Sequence, residues 1–431
     1  MKNQSDNLVL WEDDKVHRGG GVTMLRPFWA MRSGAGLLRE CAHEHFTNEP
    51  ARWVRPHLVA WQHICHPGTI INKATRENAL LANSRLWDAS CLRELPTDEE
   101  WIVTTPEEGE ETVVAAMLSP ANQEKLLQDY PPDGLPSARF FELLVPVRPA
   151  PGKLELIKHP FDLLFRQESV IEKQIAIIAR EYPEHAIGEQ ARPGIWVDSP
   201  ERIFIHPSVK IGMQTFLDAS EGSIWIDEGT VIEGNAFLKG PLAVGKKCTL
   251  RAGLKLYGPS SIGPVCKLGG EIQQTLWMGY SNKQHDGYLG TAVVGSWVNI
   301  GAGTNNSDLK NTYGPITITI AGERIETGEI HIGCLLGDHT KTSIGLQLNT
   351  GTVTGIACNI FGAGFPQTYI PSFSWGGADW LREHGLSKAI ETARIAMSRR
   401  KKEFVPEIEQ MFHYQFNQTI IEREKYLKKS N

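Results

Sequence analysis

The chain has 431 residues, 41% hydrophobic and 22% charged, a length that suggests two or three domains and a composition that permits a large buried core. A formal net charge of −6 excludes broad attraction for nucleic acid or anionic lipid and leaves room only for local basic sites that hold a small phosphorylated ligand. No apolar run approaches the roughly 20 residues that span a bilayer, Met1-Lys2-Asn3-Gln4-Ser5-Asp6 lacks the plan of a signal peptide, and the seven cysteines include no CxxC, so a cytosolic protein with reduced thiols is expected.

The first stretch, 1–155, reads as an α/β domain. Leu8-Val9-Leu10-Trp11 has the character of a buried strand ending in Glu12-Asp13-Asp14, and Gly19-Gly20-Gly21 follows as a place where backbone can approach a phosphate. Leu37 to His45 has helical character, and further strands are expected at Leu58 to Trp61, Trp101 to Thr104 and Phe140 to Val145. His63-Ile64-Cys65-His66 offers three metal-binding side chains, yet nothing pairs with it at a zinc spacing, so a strand or turn is expected there and no metal ligand set is assigned.

A helical linker, 156–192, follows, with Leu164, Ile171, Ile175 and Ile178 on one helix face between 160 and 181. The composition then changes at Pro193-Gly194: residues 191 to 380 hold 30 of the 41 glycines. Within 193–378, Ile226, Ile232, Leu238, Val244, Leu250, Leu256, Ile262 and Leu268 are aliphatic at every sixth position. Neither a helix nor an alternating strand has that period; a parallel β-helix does, each repeat forming one flat side of a coil. Gly follows the aliphatic residue at Val244-Gly245, Ile262-Gly263, Leu268-Gly269, Val294-Gly295 and Ile300-Gly301, as a sharp corner would require. Cys248 and Cys266 should stack on successive coils as small core residues. The period lapses at 274 to 287 and 304 to 330, which read as loops, and resumes in part at Ile332, Ile344 and Ile356.

The last stretch, 379–431, starts a helix near 386 with Leu386, Ala389, Ile390, Ala393 and Met397 on one face, continuing past Pro406 into a tail rich in Lys and Arg. The basic run Arg399 to Lys402 has no assigned task. Both helical segments suit covering the open ends of a β-helix, whose exposed strand edges would otherwise template aggregation.

Gly279-Tyr280-Ser281-Asn282-Lys283-Gln284-His285-Asp286-Gly287-Tyr288-Leu289-Gly290, followed by Val298-Asn299-Ile300-Gly301-Ala302-Gly303-Thr304-Asn305-Asn306, resembles the hexapeptide acetyltransferase half of the bifunctional N-acetylglucosamine-1-phosphate uridyltransferase and glucosamine-1-phosphate acetyltransferase. The spacing from His285 to Tyr288 to Asn299 matches without a gap. The alternate, divergent bacterial form of that enzyme is the nearer likeness, through Leu336-Gly337-Asp338-His339-Thr340-Lys341-Thr342, the segment Asn359 to Pro366 and the segment Ile370 to Gly377. In the N-terminal part, Arg26-Pro27-Phe28-Trp29-Ala30-Met31-Arg32-Ser33-Gly34 is similar to that form's Arg-Pro and Arg-x-Gly motif, and Ile71-Asn72-Lys73 to its Ile-Asn element, whereas the glycine-rich loop of ordinary sugar nucleotidyltransferases is absent. The resemblance implies a left-handed coil of about three repeats per turn, homotrimers with active sites between subunits, and a degenerate nucleotidyltransferase-like domain over 1–155.

Acetyl transfer from acetyl-CoA to a sugar amine needs a group to take the amine's proton, and an imidazole, ordinarily titrating near 6.5, suits that task; the resemblance places His285 there. Tyr288 and Asn299 can hydrogen-bond the sugar or the developing oxyanion without bringing charge. Lys283 and Lys310 can hold the sugar phosphate, and Asn306, in the polar insertion from Thr304 to Gly314, faces substrate or stabilises a turn. Asp338, His339 and Lys341 are candidates for the phosphates of coenzyme A or for a neighbouring subunit. For nucleotidyl transfer, Arg26 and Arg32 would meet the phosphates, Asp13 or Asp14 would hold Mg²⁺, and Asn72 would join them at the nucleotide.

The expected activity is acetylation of an amino-sugar 1-phosphate, glucosamine 1-phosphate first, coupled to formation of UDP-N-acetylglucosamine or a related nucleotide sugar. Two alternatives stand beside it: nucleotidyl transfer alone on a structural β-helix, and a non-catalytic trimeric platform.

Overall fold

The structure is a computed structural model in which residues 7–42, 49–88, 90–187 and 194–427 are described. The expected signal-peptide test at residues 1–6, the end of the Leu37 to His45 segment and the boundary residue Pro193 lie outside them. Among the described residues no helix is long and apolar enough to cross a membrane.

The N-terminal domain is built on a six-stranded mixed sheet in the order Ala51–Trp53, Leu8–Trp11, Ala79–Asn83, Glu110–Leu118, Trp101–Glu107, Val147–Arg148. Its first two pairings are parallel, the next two antiparallel and the last parallel. Leu8–Trp11 and Trp101–Glu107 are strands as expected. Leu58 to Trp61 is not: a 3-10 turn at Pro56–Leu58 runs into the helix Val59–Cys65, started by Pro56 at a first helical position. The strand expected over Phe140 to Val145 is also absent, since the helix Ser137–Phe141 buries Phe140 and leaves Leu144 exposed at 90%.

The central domain is a parallel β-helix whose coils present three walls. Ile224–Ile226, Leu242–Val244 and Ser260–Ile262 stack on the first wall. Val231–Ile232, Thr249–Leu250 and Lys267–Leu268 stack on the second. Phe237–Lys239 and Lys255–Tyr257 stack on the third. All eight aliphatic residues of the six-residue repeat are buried at 1% exposure or less, each contributing about 1.5–3 kcal/mol of burial. Cys248 and Cys266 are buried on successive coils as free thiols.

The segment 274 to 287 remains part of the coil. Thr249 lies beside Lys267, eighteen residues on, but Lys267 lies beside Asn282, fifteen on. The corners shorten, the strands Glu271–Gly279 and Asn282–Lys283 continue the walls, and the sequence period loses phase without the chain leaving the stack. Past the insertion, the inward positions are Leu336, Thr342, Leu348, Thr354 and Ile360, all at 5% exposure or less, whereas Ile344 is 76% exposed. Threonine at alternate core positions hides the repeat there.

The glycines that follow core residues are required by neighbouring coils rather than by the turn itself. A Cβ on Gly263 would lie 2.6 Å from the backbone of Met278, and one on Gly301 would lie 2.2 Å from the Ser343 carbonyl. The corner between the first and second walls is turned instead by residues at positive φ, among them Lys247, Val265, Tyr280, Trp297 and His339.

The flanking helices cover sides of the coil more than its ends. Gln167–Glu181 lays Ile171 and Ile175 against Trp225 and Ala243 on the first wall. Leu386–Ser398, burying Ala389, Ile390, Ala393 and Met397, and Pro406–Gln418 pack with the N-terminal domain and the corner residues Ala357 and Phe373. At the C-terminal end of the stack, Leu381–Glu383 turns back antiparallel on Ser374–Gly376.

Gly19-Gly20-Gly21 does not open onto a ligand space. It lies in a turn packed on the coil, where a Cβ on Gly21 would meet the Thr354 carbonyl at 2.7 Å and the Gly21 carbonyl accepts the Asp338 N–H.

Candidate functional site

His285 sits on the exposed corner that joins the second wall, at Asn282–Lys283, to the third, at Tyr288. The corner is fixed from within. Lys283 occupies the inward column held by Ile232, Leu250 and Leu268 in earlier coils. It is fully buried and donates its ammonium to the carbonyls of His285 (2.9 Å) and Gly269 (3.3 Å). Burial pushes its pKa down to about 8. Lys283, expected to meet a sugar phosphate, is therefore turned inward and holds the backbone carrying the imidazole.

On the third wall the Tyr288 phenol donates to Asp308 Oδ2 at 3.3 Å, and Thr291 donates to the same oxygen at 3.0 Å. Burial, reinforced by the Asp308 charge, raises the phenol's pKa and keeps its proton in place. The Tyr288 N–H is taken by Asn305 Oδ1 at 2.7 Å. On the second wall, Asn299 is exposed one coil beyond Asn282, which donates to it at 3.4 Å and accepts from Arg400 at 2.6 Å. His285 and Tyr288 thus follow one another round one coil, with Asn299 on the second wall of the next coil.

Asn306 is not available to a substrate. It is 4% exposed, accepts the Gly290 N–H at 2.8 Å and donates to the Gly290 carbonyl at 2.9 Å, closing the coil where the insertion leaves it. Lys310 stays near the surface and donates to the Pro315 carbonyl at 2.5 Å.

The residues expected at coenzyme A divide. Asp338 is buried, bonded by Arg26 at 2.6 Å and by the Ser296 N–H at 2.7 Å. His339 is buried beside Trp297, and burial, with Lys341 and Arg26 adding like charge, drives its pKa well down, so the ring is neutral. Lys341 donates to the carbonyls of Trp297 (2.6 Å) and His339 (3.0 Å), and burial brings it down to about 7. It borders a cavity of about 460 Å³ that also reaches Asn282, Gln284 and Asn299. Asp338 and His339 border a second cavity of about 440 Å³, with Trp61, Met397 and Met411.

In the N-terminal domain four of the five residues expected at nucleotide and Mg²⁺, namely Asp13, Arg26, Arg32 and Asn72, bond to other parts of the protein. Asp13 is 1% exposed and meets the Arg85 guanidinium at 2.6 Å and Asn83 at 2.9 Å. Arg85 also pairs with Glu107 at 2.8 Å. Burial would raise Glu107, yet hydrogen bonds and charge from Arg85 hold its carboxyl down at about 2. Asp14 is half-buried, its pKa raised by burial and then by Asp13. Arg26 is spent on Asp338, and Arg32 is buried against the coil with its Nε on Ser261 at 3.1 Å. Asn72, at φ 47°, uses its amide on both the N–H and the carbonyl of Val54. Arg26 and Arg32 thus form a clasp between domains in place of a triphosphate cradle. Among the described residues no cluster of metal-binding side chains is present, and His63 and Cys65 lie on a helix.

Sequence reasoning missed Asp308, Asn282, Lys267 and Arg400. Asp308 lies in the polar insertion from which Asn306 and Lys310 were singled out, and Arg400 belongs to the basic run left without a task.

Fold and site define a β-helix of six-residue repeats with an α/β domain docked on its side. No family model matches the chain. It is 29% identical over 91 residues to a bifunctional sugar-1-phosphate nucleotidylyltransferase/acetyltransferase of Sulfurisphaera tokodaii, covering 21% of this chain and 23% of that one. It is 28% identical over 182 residues to the bifunctional protein GlmU of Acinetobacter baumannii, covering 35% and 38%. The chain thus matches less than two-fifths of the length of either relative. Among solved structures, LpxA, a UDP-N-acetylglucosamine acyltransferase from Bacteroides fragilis, aligns at 16% identity and a TM-score of 0.25 over 56% of this chain and 92% of that one; a superposition that loose bears on neither substrate nor mechanism.

Proposed function

We propose that the protein transfers an acetyl group from acetyl-CoA to the amine of an amino-sugar 1-phosphate, glucosamine 1-phosphate being the first candidate, in the cytosol and as a homotrimer. The observation that carries this reading is the exposed His285 imidazole on a corner whose backbone is pinned from inside by Lys283, with Tyr288 following it round the coil and Asn299 on the second wall of the next coil. The amine nitrogen attacks the thioester carbonyl carbon, the imidazole takes the amine proton, and the C–S bond breaks to release the coenzyme A thiol. Tyr288, its phenol kept protonated, and Asn299 supply uncharged donors for the sugar or the oxyanion. The corner is open on its outer side, which suits completion by a neighbouring copy.

Coupled nucleotidyl transfer is not part of this proposal. Asp13 and Arg26, which it would use, already have charged protein partners.

The test is a paired assay of thiol release and Mg²⁺-dependent pyrophosphate release on purified protein. Thiol release with glucosamine 1-phosphate is expected, falling by about 10²–10⁴ in His285→Ala with an unchanged melting temperature, and no pyrophosphate release is expected. Absence of thiol release across a panel of amino-sugar phosphates would refute the acetyl-transfer reading. Pyrophosphate release that survives His285→Ala would favour nucleotidyl transfer instead.

A further inference from the structure

The basic run that closes the helix Leu386–Ser398 meets the second wall of the coil across the 460 Å³ cavity. Lys267 and Lys341 approach from the coil, Arg399 and Arg400 from the helix end, and Asn282 and Asn299 lie between them. No Asp or Glu lines this space, and among the described residues none of the four cations makes an ion pair. Glu233, the acid that acts on Lys267, is taken by Arg251 at 2.7 Å. Elsewhere on the coil, cations meet carboxylates on adjacent turns, as Lys246 meets Glu228 and Lys239 meets Glu221. Burial, together with Arg400, Arg251 and Arg399, depresses Lys267. Converging cations without a counter-charge repel one another, and such an arrangement is stabilised by a bound anion.

Size and lining narrow the anion. The cavity falls within the range of small-molecule sites, about 300–1,000 Å³, and is larger than one phosphate requires. One end is formed by the stacked rings of Tyr280 and Trp297, 4.4 Å apart, which border the second, more apolar cavity as well. Guanidinium and ammonium groups side by side suit a chain of phosphoryl oxygens.

We propose that this cavity binds the diphosphate of a nucleotide, gripped by Arg400, Arg399, Lys267 and Lys341, with the nucleoside reaching the Tyr280–Trp297 end. The C-terminal helix thereby becomes part of a ligand site. Coenzyme A and nucleotide sugars both carry this chemistry. The site shares Asn299 with the corner that bears His285 and lies apart from the Tyr288–Asp308 pair, and binding at it can be read whether or not His285 catalyses acetyl transfer.

Titration calorimetry on the full chain at low salt, with inorganic pyrophosphate, ADP, UDP and coenzyme A as separate probes, tests this. At least one nucleotide is expected to bind, at least tenfold more weakly in Arg400→Gln and in Arg399→Gln, with Lys247→Gln, an exposed charge elsewhere on the coil, behaving as wild type. Arg399 is exposed and Arg400 half-exposed, so these variants retain the fold. Tighter binding of ADP and coenzyme A than of UDP identifies an acyl carrier, and the reverse order a nucleotide sugar. No binding of any probe, or equal affinity in wild type and both arginine variants, overturns the proposal.

Discussion

In the α/β domain Arg85 lies between Asp13 and Glu107 with all three side chains buried, so each of these three charges has a counter-charge within 3 Å. In the coil Lys283 and Lys341 are held only by carbonyl oxygens, and neither has a carboxylate partner among the described residues. A closed ionic network resists both ligands and metal, because any newcomer must displace a partner already in place. A cation held only by carbonyls stays chemically adaptable, its charge depending on pH and on what binds beside it. Asp13, which chemistry would lead one to expect at a nucleotide's metal ion, is in the first group, and the unneutralised lysines are in the second.

The largest effect should come from opening the closed network. Arg85→Met leaves the buried Asp13 carboxylate without a counter-charge and with the Asn83 amide beside it, while Glu107 keeps Lys15 and Arg18; the change should cost about 3–5 kcal/mol, read as a drop in the urea midpoint, and an unchanged midpoint would show that water reaches Asp13. Leu250→Ala, which empties a core position between Ile232 and Leu268, should cost about 2–5 kcal/mol and loosen the coil without touching the α/β network, so calorimetry of the two variants compares the regions directly.

The regions should also respond to pH at opposite ends. Glu107 is held at about 2 against an ordinary value of 4.5, so its contribution is present above 4.5 and is lost as pH falls toward 2. Lys341 is held at about 7 against 10.5, so between those values the folded chain binds fewer protons than the unfolded one and stability rises with pH. One such proton is worth up to about 1.4 kcal/mol per pH unit. Denaturation midpoints of wild type should therefore climb between pH 7 and 9 more steeply than those of Lys341→Met; parallel slopes would remove Lys341 as the source. The smallest change should follow Arg251→Gln, which breaks a half-exposed pair with Glu233 and should shift stability by less than about 1 kcal/mol.

The coil was legible in the sequence because its aliphatic column is unbroken from Ile226 to Leu268. It became illegible where physical chemistry substitutes for hydrophobicity. Lys283 stands in a leucine column and is tolerated because two carbonyls accept its protons, and Asn306, which pairs in register with Leu348, is tolerated because Gly290 bonds both ends of its amide. Shortened corners then shift the phase, so residues in register were read as a loop. Of the candidate site, the corner trio is named through the resemblance of its motif, whereas the Arg400–Asn282 contact joins residues far apart in sequence and leaves no local trace. The acidic and basic residues of the α/β domain misled for a related reason: composition shows charges but not which of them already face one another.

The insertion between Ser307 and Gly333 folds into the hairpin Thr317–Ile320 and Glu323–Glu326. Its Ile316, Ile318 and Ile320 pack in one cluster with Val16 and Val22 of the α/β domain, Phe161 and Leu164 of the linker, and Leu335 and Val353 of the coil. A solenoid by itself can fray from either end, one rung at a time. Buttoned at mid-height to two other parts of the chain, this one is expected to melt in a single cooperative step, so a protease able to cut the hairpin would release the whole assembly and not merely its terminal rungs.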